Sequence, residues 1–309
     1  MDASHNLPRS TAVCVTLVSA ALFGMATPAV KLFMGGVEPQ LAAGTLYVGM
    51  GVGLAGAYLL EGAPNPRIER SEYGWLAVSL LCGGLLAPWF IFWGLAHATA
   101  TTTSLLANTE VVFSTLLARF LFGERYSGRL FVGVALILAG TVVLSGLGNG
   151  PIDLLPALAI VVACGFWGLD NNAVRKIAHA NASFIGATKG LVAGFSNVAL
   201  AFACGAHVHA VRPLISIGIV GIVCYGLSFG LYVQGLRVLG AARTSAYYGT
   251  APFSGAVTAL LLLQEPASPR LGIAAALMAG GIWLHLSEPH APVGPHLLAG
   301  PETDEPAPT

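Results

Sequence analysis

The most constraining feature of this sequence is a succession of apolar runs, each about as long as the ~20 residues a helix needs to cross ~30 Å of hydrocarbon. They fall near residues 10–32, 40–60, 73–95, 99–121, 128–147, 155–175, 182–204, 214–236, 243–263 and 270–287. The breaks between them hold turn residues such as Glu38-Pro39, Pro64-Asn65-Pro66, Gly148-Asn149-Gly150-Pro151, Arg212-Pro213 and the stretch Pro266 to Pro269. Charged residues make up 9% of the chain and mean hydropathy is +0.76, against about 25% charged residues in soluble domains. So much apolar surface cannot be hidden inside one water-facing globule. The reading is an all-α membrane protein, helical because a chain in lipid must satisfy its backbone groups internally.

The chain repeats itself. An offset of 141 sets Gly94-Leu95 on Gly235-Leu236, Ala100 on Ala241, Thr103-Ser104 on Thr244-Ser245 and Glu124 on Glu265. An offset of 144 sets Phe23-Gly24 on Trp167-Gly168, Ala29-Val30 on Ala173-Val174 and Lys31 on Arg175. Ten spans in two similar halves means five per half, and an odd number makes the second copy enter from the opposite side. The expected architecture is therefore ten transmembrane helices as two inverted five-helix repeats, 11–147 and 155–287. Residues 1–10 form a cytoplasmic lead and 288–309, rich in Pro, Gly and acidic residues, a disordered cytoplasmic tail. With the N-terminus inside, ten of the 14 Lys and Arg residues fall on the inner side, three on the outer and Lys189 within a helix. The positive-inside rule then places both termini in the cytoplasm of a plasma (inner) membrane protein.

Within the fourth run, Thr99 to Glu124, Glu110 lies near the midpoint, and an ionisable group at that depth marks a functional site. At helical spacing Thr99, Thr103, Glu110 and Ser114 fall on one face with Ala107 between them, the wall of a water-accessible cavity. Asn108 is a nearby hydrogen-bond partner, and a carboxyl group so placed can take up and release a proton during transport. In the sixth run Trp167, Asp170 and Asn171 share about one third of the circumference. Asp170 and Lys189 lie in the same third of the bilayer, as an ion pair or as gating and binding groups. In the ninth run Thr244 and Tyr248 face the Glu110 side and suit an amphipathic or cationic solute, while packing is the competing role for the aromatic residue. Gln234 and Trp93 occupy matched positions able to line the same cavity, and His97 sits at its outer mouth.

Other chemistries find little support. The five cysteines stand singly in apolar runs without metal-ligand or redox spacing, no P-loop is present, and neither a cofactor nor a metal is expected. Gly226-Leu227-Ser228-Phe229-Gly230 matches G-x-S-x-G but lies in an apolar run rather than in a strand–turn–helix elbow. An intramembrane serine hydrolase pairing Ser228 with His285, and a non-transporting membrane scaffold, are the rival classes. The zero formal charge gives no pointer to nucleic acid. The expected partners are a small-molecule solute, protons and the lipid bilayer, with a homodimer left open.

Several of these residues carry a family resemblance. Ala21-Leu22-Phe23-Gly24 and Cys164-Gly165-Phe166-Trp167-Gly168 resemble the A-x-x-W-G opening of each half in the EamA-type family of drug/metabolite transporters. Gly123-Glu124 followed by Gly133 to Gly140, and Gln264-Glu265 followed by Gly272 and Gly280-Gly281, resemble the close of each half. The resemblance implies a ten-helix carrier that exports or exchanges small metabolites without nucleotide hydrolysis. The chain departs from the pattern at Phe23, where Trp is usual, and at Glu110-Val111, where a proline often stands, although Pro252 occupies the ninth helix.

Overall fold

A backbone surrounded by apolar side chains closes its hydrogen bonds within one segment, and all regular structure among the described residues of this computed structural model is helical. The structure describes residues 8–60, 62, 68–122, 127–145, 154–177, 181–239, 244 and 247–287. The expectations for the tail after Ser287, for most of the lead and for Glu124 fall outside them. The helices are α1 (Arg9–Phe33), α2 (Pro39–Leu60), α3 (Arg70–His97), α4 (Ala100–Leu106), α5 (Thr109–Phe122), α6 (Gly128–Ser145) and α7 (Leu154–Lys176). They continue as α8 (Ala182–Ala203), α9 (211–239), α10 (Ala251–Leu262) and α11 (Pro269–Leu286). Among the described residues, seven helical stretches are long and apolar enough to cross a membrane, α4 and α5 counting together as one. Three shorter apolar helices lie within α6, α10 and α11.

The helices exchange partners across the chain. α1 packs on α9 and α10, while α7 packs on α3 and α5; α2 meets α8, and α6 meets α11. The α2–α8 contact is backbone to backbone. A Cβ on Gly51 would lie 2.5 Å from Leu191 N, and one on Gly190 would lie 2.5 Å from Gly51 Cα. Small residues give membrane helices this close approach, and with it the dispersion contacts that hold them together.

Two helices change pitch at matched places. α3 widens to a π-helix over Leu80–Leu86 and α9 does so over Gly221–Leu227, the offset of 141 seen in the sequence. A π turn shifts the hydrogen-bond ladder by one residue and leaves carbonyls for other partners. In α3 these partners are side chains from neighbouring helices: Tyr47 Oη donates to Gly83 O at 3.1 Å and Asn197 Nδ2 to Gly84 O at 2.7 Å. Gln40 donates in turn to Asn197 Oδ1.

The α3–α4 corner is capped from both sides. Lys31 Nζ, at the end of α1, donates to the carbonyls of Leu95, Ala96 and Ala98, the last of these at 3.0 Å. Glu265 accepts from the Ala100 and Thr101 amides at 2.7 and 2.9 Å and from the Thr101 hydroxyl at 2.5 Å. A cation on terminal carbonyls and a carboxylate on terminal amides each complement the helix end they meet. Gln264, in a left-handed conformation (φ 52°), reverses the chain just before Glu265.

Candidate functional site

The continuous fourth helix expected from the sequence is broken at Ala107-Asn108. There the ladder tightens to three-residue steps, Asn108 N to Leu105 O at 3.0 Å, Glu110 N to Ala107 O at 3.1 Å and Val111 N to Asn108 O at 3.2 Å. Local side chains cover the carbonyls: Thr109 Oγ1 donates to Leu106 O at 2.7 Å and Asn108 Nδ2 to Leu105 O at 3.0 Å. Those short polar side chains compete with the helix for its own backbone groups, which is why the sequence Ala107-Asn108-Thr109 bends without Gly or Pro. Before α10 the chain repeats the device, with Thr250 N on Tyr247 O at 3.2 Å, Thr250 Oγ1 on Tyr247 O at 2.7 Å and Pro252 in the first turn of the helix. The face proposed to run from Thr99 to Ser114 is therefore not one face of one helix. Thr99 is the N-cap of α4, accepting from Thr102 N at 3.0 Å.

Both breaks border a cavity of about 90 Å³. Its walls are Phe23, Gly24, Thr27 and Val30 of α1; Leu46 of α2; Ile91, Phe92 and Leu95 of α3; and Thr103 and Ser104 of α4, with Ala107 of the first break. Glu110 of α5, Trp167 of α7, Tyr225 of α9 and Ala251 and Pro252 of α10 complete the lining. The volume holds a few waters and is well below the ~300–1,000 Å³ of sites that enclose drug-sized ligands.

Glu110 enters the cavity from the first turn of α5, at the positive end of the helix dipole, which favours a carboxylate. Asn171 Nδ2 donates to Glu110 Oε1 at 2.6 Å. Thr103 is buried and donates to Thr99 O at 2.9 Å, whereas Ser104 Oγ is buried with no partner among the described residues. The lining rings Phe23 and Tyr225 belong to a chain of aromatic contacts that extends behind the wall: Tyr47 to Tyr225 (6.0 Å between centroids), Tyr225 to Phe23 (5.0 Å), Phe23 to Tyr248 (5.4 Å) and Tyr248 to Tyr232 (4.8 Å).

Of the residues singled out from the sequence, Glu110, Thr103 and Trp167 meet at the cavity, with Asn171 bound to Glu110. Tyr248 stands behind Phe23. Others lie elsewhere. Asn108 is buried and spends its amide on Leu105 O and, at 3.9 Å, on the Met278 sulfur, not on Glu110. Ser114 contributes its main-chain carbonyl, 3.0 Å from Asn172 Nδ2, and is not in the lining. Gln234 is exposed, and Thr244 is buried beside Gly235, both outside the lining. Trp93 stacks on the exposed His97 at 4.4 Å and lies outside the lining too.

Asp170 and Lys189 form a separate centre. Lys189 Nζ pairs with Asp170 Oδ2, Ser79 Oγ donates to Asp170 Oδ1 at 2.5 Å, and Asp170 is 3% exposed. Gly83 makes room for it, since a Cβ there would lie 2.1 Å from Asp170 Oδ2. The two residues that the sequence placed at one depth are thus in contact as an ion pair, an arrangement shared by the structural role and the gating or binding role.

Tyr225, Thr27 and Ser104 are lining residues that the sequence did not single out as site candidates, and Phe23 stood out in it only as a departure within a family motif. One signal for Phe23 was present: the offset of 144 sets it on Trp167, and both reach the cavity. Among the described residues, no cluster of three or more His, Cys, Asp or Glu could hold a metal.

A sequence model of the EamA-like transporter family matches residues 10–146 and, a second time, 154–287. The chain belongs to the EamA-like transporter family. It is a multi-pass membrane protein of a transporter family, as the resemblance implied. It is similar to an "Uncharacterized transporter" of Methanothermobacter thermautotrophicus, 25% identical over 290 residues that cover 87% of this chain and 84% of the relative. Over 86 residues it is 31% identical to the "Probable 4-amino-4-deoxy-L-arabinose-phosphoundecaprenol flippase subunit ArnE" of Pseudomonas fluorescens, covering 28% of this chain and 74% of that one. A solved crystal structure shares the fold, with a TM-score of 0.65 at 23% identity and coverage of 90% of this chain and 96% of that one.

Proposed function

We propose that this EamA-family protein is a proton-coupled secondary transporter that exports or exchanges small metabolites or drugs across the plasma membrane. The observation that carries the reading is the cavity between the two broken helices, with Glu110 in its wall. Discontinuous helices meeting at the interface of repeats, deep in the bilayer, are where carriers of inverted-repeat design place solute and coupling ion. The ten-span, two-repeat architecture belongs to this proposal, with residues 11–147 and 155–287 as the repeats and both termini cytoplasmic. It is supported by the seven long and three shorter apolar helices, the paired π segments and the reciprocal packing of α1 and α7. In this reading the halves rock about the cavity, which widens to admit a solute and exposes Glu110 to each side in turn.

The rival readings fit less well. Ser228 is buried and exchanges hydrogen bonds with Ser19, its Oγ donating to Ser19 O at 2.8 Å and its carbonyl accepting from Ser19 Oγ at 2.6 Å. Those bonds give it a packing role between α1 and α9. A scaffold has no need of a cavity with a carboxylate in its wall. The test is in two parts. Reporter fusions after Ser287 and in the Pro64–Arg70 loop should read cytoplasmic and those at Asn149 external; a cytoplasmic signal at Asn149 overturns the five-plus-five arrangement. Vesicles containing the purified protein and loaded with a metabolite extract should lose specific solutes when a proton gradient is imposed; an unchanged content overturns the transport reading.

A further inference from the structure

The carboxylates held among the helices, Asp170 buried and Glu110 and Glu265 partly buried, are not treated alike. Asp170 is matched by Lys189 and Ser79. Glu265 is taken up by two backbone amides and a hydroxyl. Glu110 has one neutral donor, Asn171, and no cationic side chain in contact among the described residues. A carboxylate at that depth without a counter-charge is costly, so the site is electrically incomplete unless something positive enters it.

The rest of the lining tells what that is. None of the residues that line the cavity is Lys, Arg or His. An anionic solute would find Glu110 as a like charge and no compensating cation, an arrangement that rejects carboxylates. The faces of Phe23, Trp167 and Tyr225 are the surfaces on which an organic cation is held by ring quadrupoles. A second feature is independent of charge: Ser104 Oγ is buried in the cavity wall without a partner among the described residues, and buried hydroxyls in native proteins are hydrogen-bonded, to protein, water or ligand.

We infer that the solute taken at this site is an amphipathic organic amine in its cationic form, its charged nitrogen on Glu110, its apolar body on the rings and a second polar group within reach of Ser104. The inference rests on the transport reading, in which the cavity widens beyond its present volume of about 90 Å³ to admit a solute.

The test uses the purified full chain in detergent and three probes of similar size and one ring: phenethylamine, 2-phenylethanol and phenylacetate, titrated by calorimetry. Loss of a charge-assisted hydrogen bond should weaken binding about tenfold or more, so phenethylamine should lead both other probes by that margin. Glu110→Gln should bring amine and alcohol to within about twofold of each other, while Glu110→Asp, which keeps the charge, should retain the amine preference. Ser104→Ala should weaken 2-amino-1-phenylethanol, which carries an added hydroxyl, about fivefold more than phenethylamine. Equal binding of the three probes by the wild type, or an amine preference that survives Glu110→Gln, overturns the inference. Counterflow of labelled phenethylamine in vesicles separates the two readings. Selective binding without flux keeps the cation site and removes transport. Flux of the alcohol or the carboxylate without amine selectivity keeps transport and removes the cation site.

Discussion

The two helix breaks that border the cavity use one backbone device for two kinds of chemistry. In each, a threonine hydroxyl covers the carbonyl three residues before it, Thr109 on Leu106 and Thr250 on Tyr247, at 2.7 Å in both cases. The next residue in each faces the cavity, and there the likeness ends: it is Glu110 in the first break and Ala251 in the second. The likeness lies in the backbone frame, and the difference between the two breaks is the carboxylate on which the proposed function turns. Two equivalent carboxylates facing one small cavity would repel each other, whereas one leaves a single place for a proton or a cation.

If that division of labour holds, changes to the frame should lower stability and changes at Glu110 should alter transport. The largest effect on stability belongs to the centre beside the cavity. Asp170→Ala leaves Lys189 buried without its partner and should cost about 3–5 kcal/mol, while a double change of Asp170→Asn and Lys189→Met should recover most of it. Thermal unfolding in detergent checks both, and a stable single variant would show that the pair is dispensable. Gly83→Ala, which drives a Cβ into the Asp170 carboxylate, should cost about 1–3 kcal/mol or more. At the matching place in the second π segment, Cys224 carries a side chain without such a conflict. The breaks themselves should differ modestly. Thr109 is buried and Thr250 exposed, so Thr109→Val should cost about 1 kcal/mol and Thr250→Val no more than about 0.5, neither changing solute preference. A larger loss at Thr250 would mean that the second break carries more of the fold than its exposure implies. The smallest effect is expected at Ser114, whose used group is its main-chain carbonyl: Ser114→Ala should change stability and solute affinity by less than about 0.5 kcal/mol.

The sequence made the frame legible because the duplication is written in side chains that close packing requires. The offsets found by matching Gly94 to Gly235 and Phe23 to Trp167 return as paired π segments and exchanged helix contacts. Asp170 and Lys189 could be paired in advance because buried charges at one depth need each other. The break at Asn108 was hidden, since nothing in Ala107-Asn108-Thr109 forbids a helix and only the competition of short side chains for its carbonyls decides the matter. Periodicity through that break therefore put Ser114 in the same wall as Glu110, where it does not lie. Tyr225 and Ser104 escaped notice for another reason: aromatic and small hydroxyl residues are equally at home in packed membrane helices. Which of them face a void is a property of the assembled bundle.

Coupling of solute movement to protons by the lone cavity carboxylate is tested by Glu110→Gln, which keeps the size and hydrogen bonding of the side chain and removes its charge. Wild-type and variant proteins in matched vesicles, with a proton gradient as the sole driving force, should both be folded and inserted. The wild type should drive solute against its gradient and the variant should not, while the variant still equilibrates solute down a gradient. Equal gradient-driven accumulation by the two proteins would contradict the account and make Glu110 a packing residue.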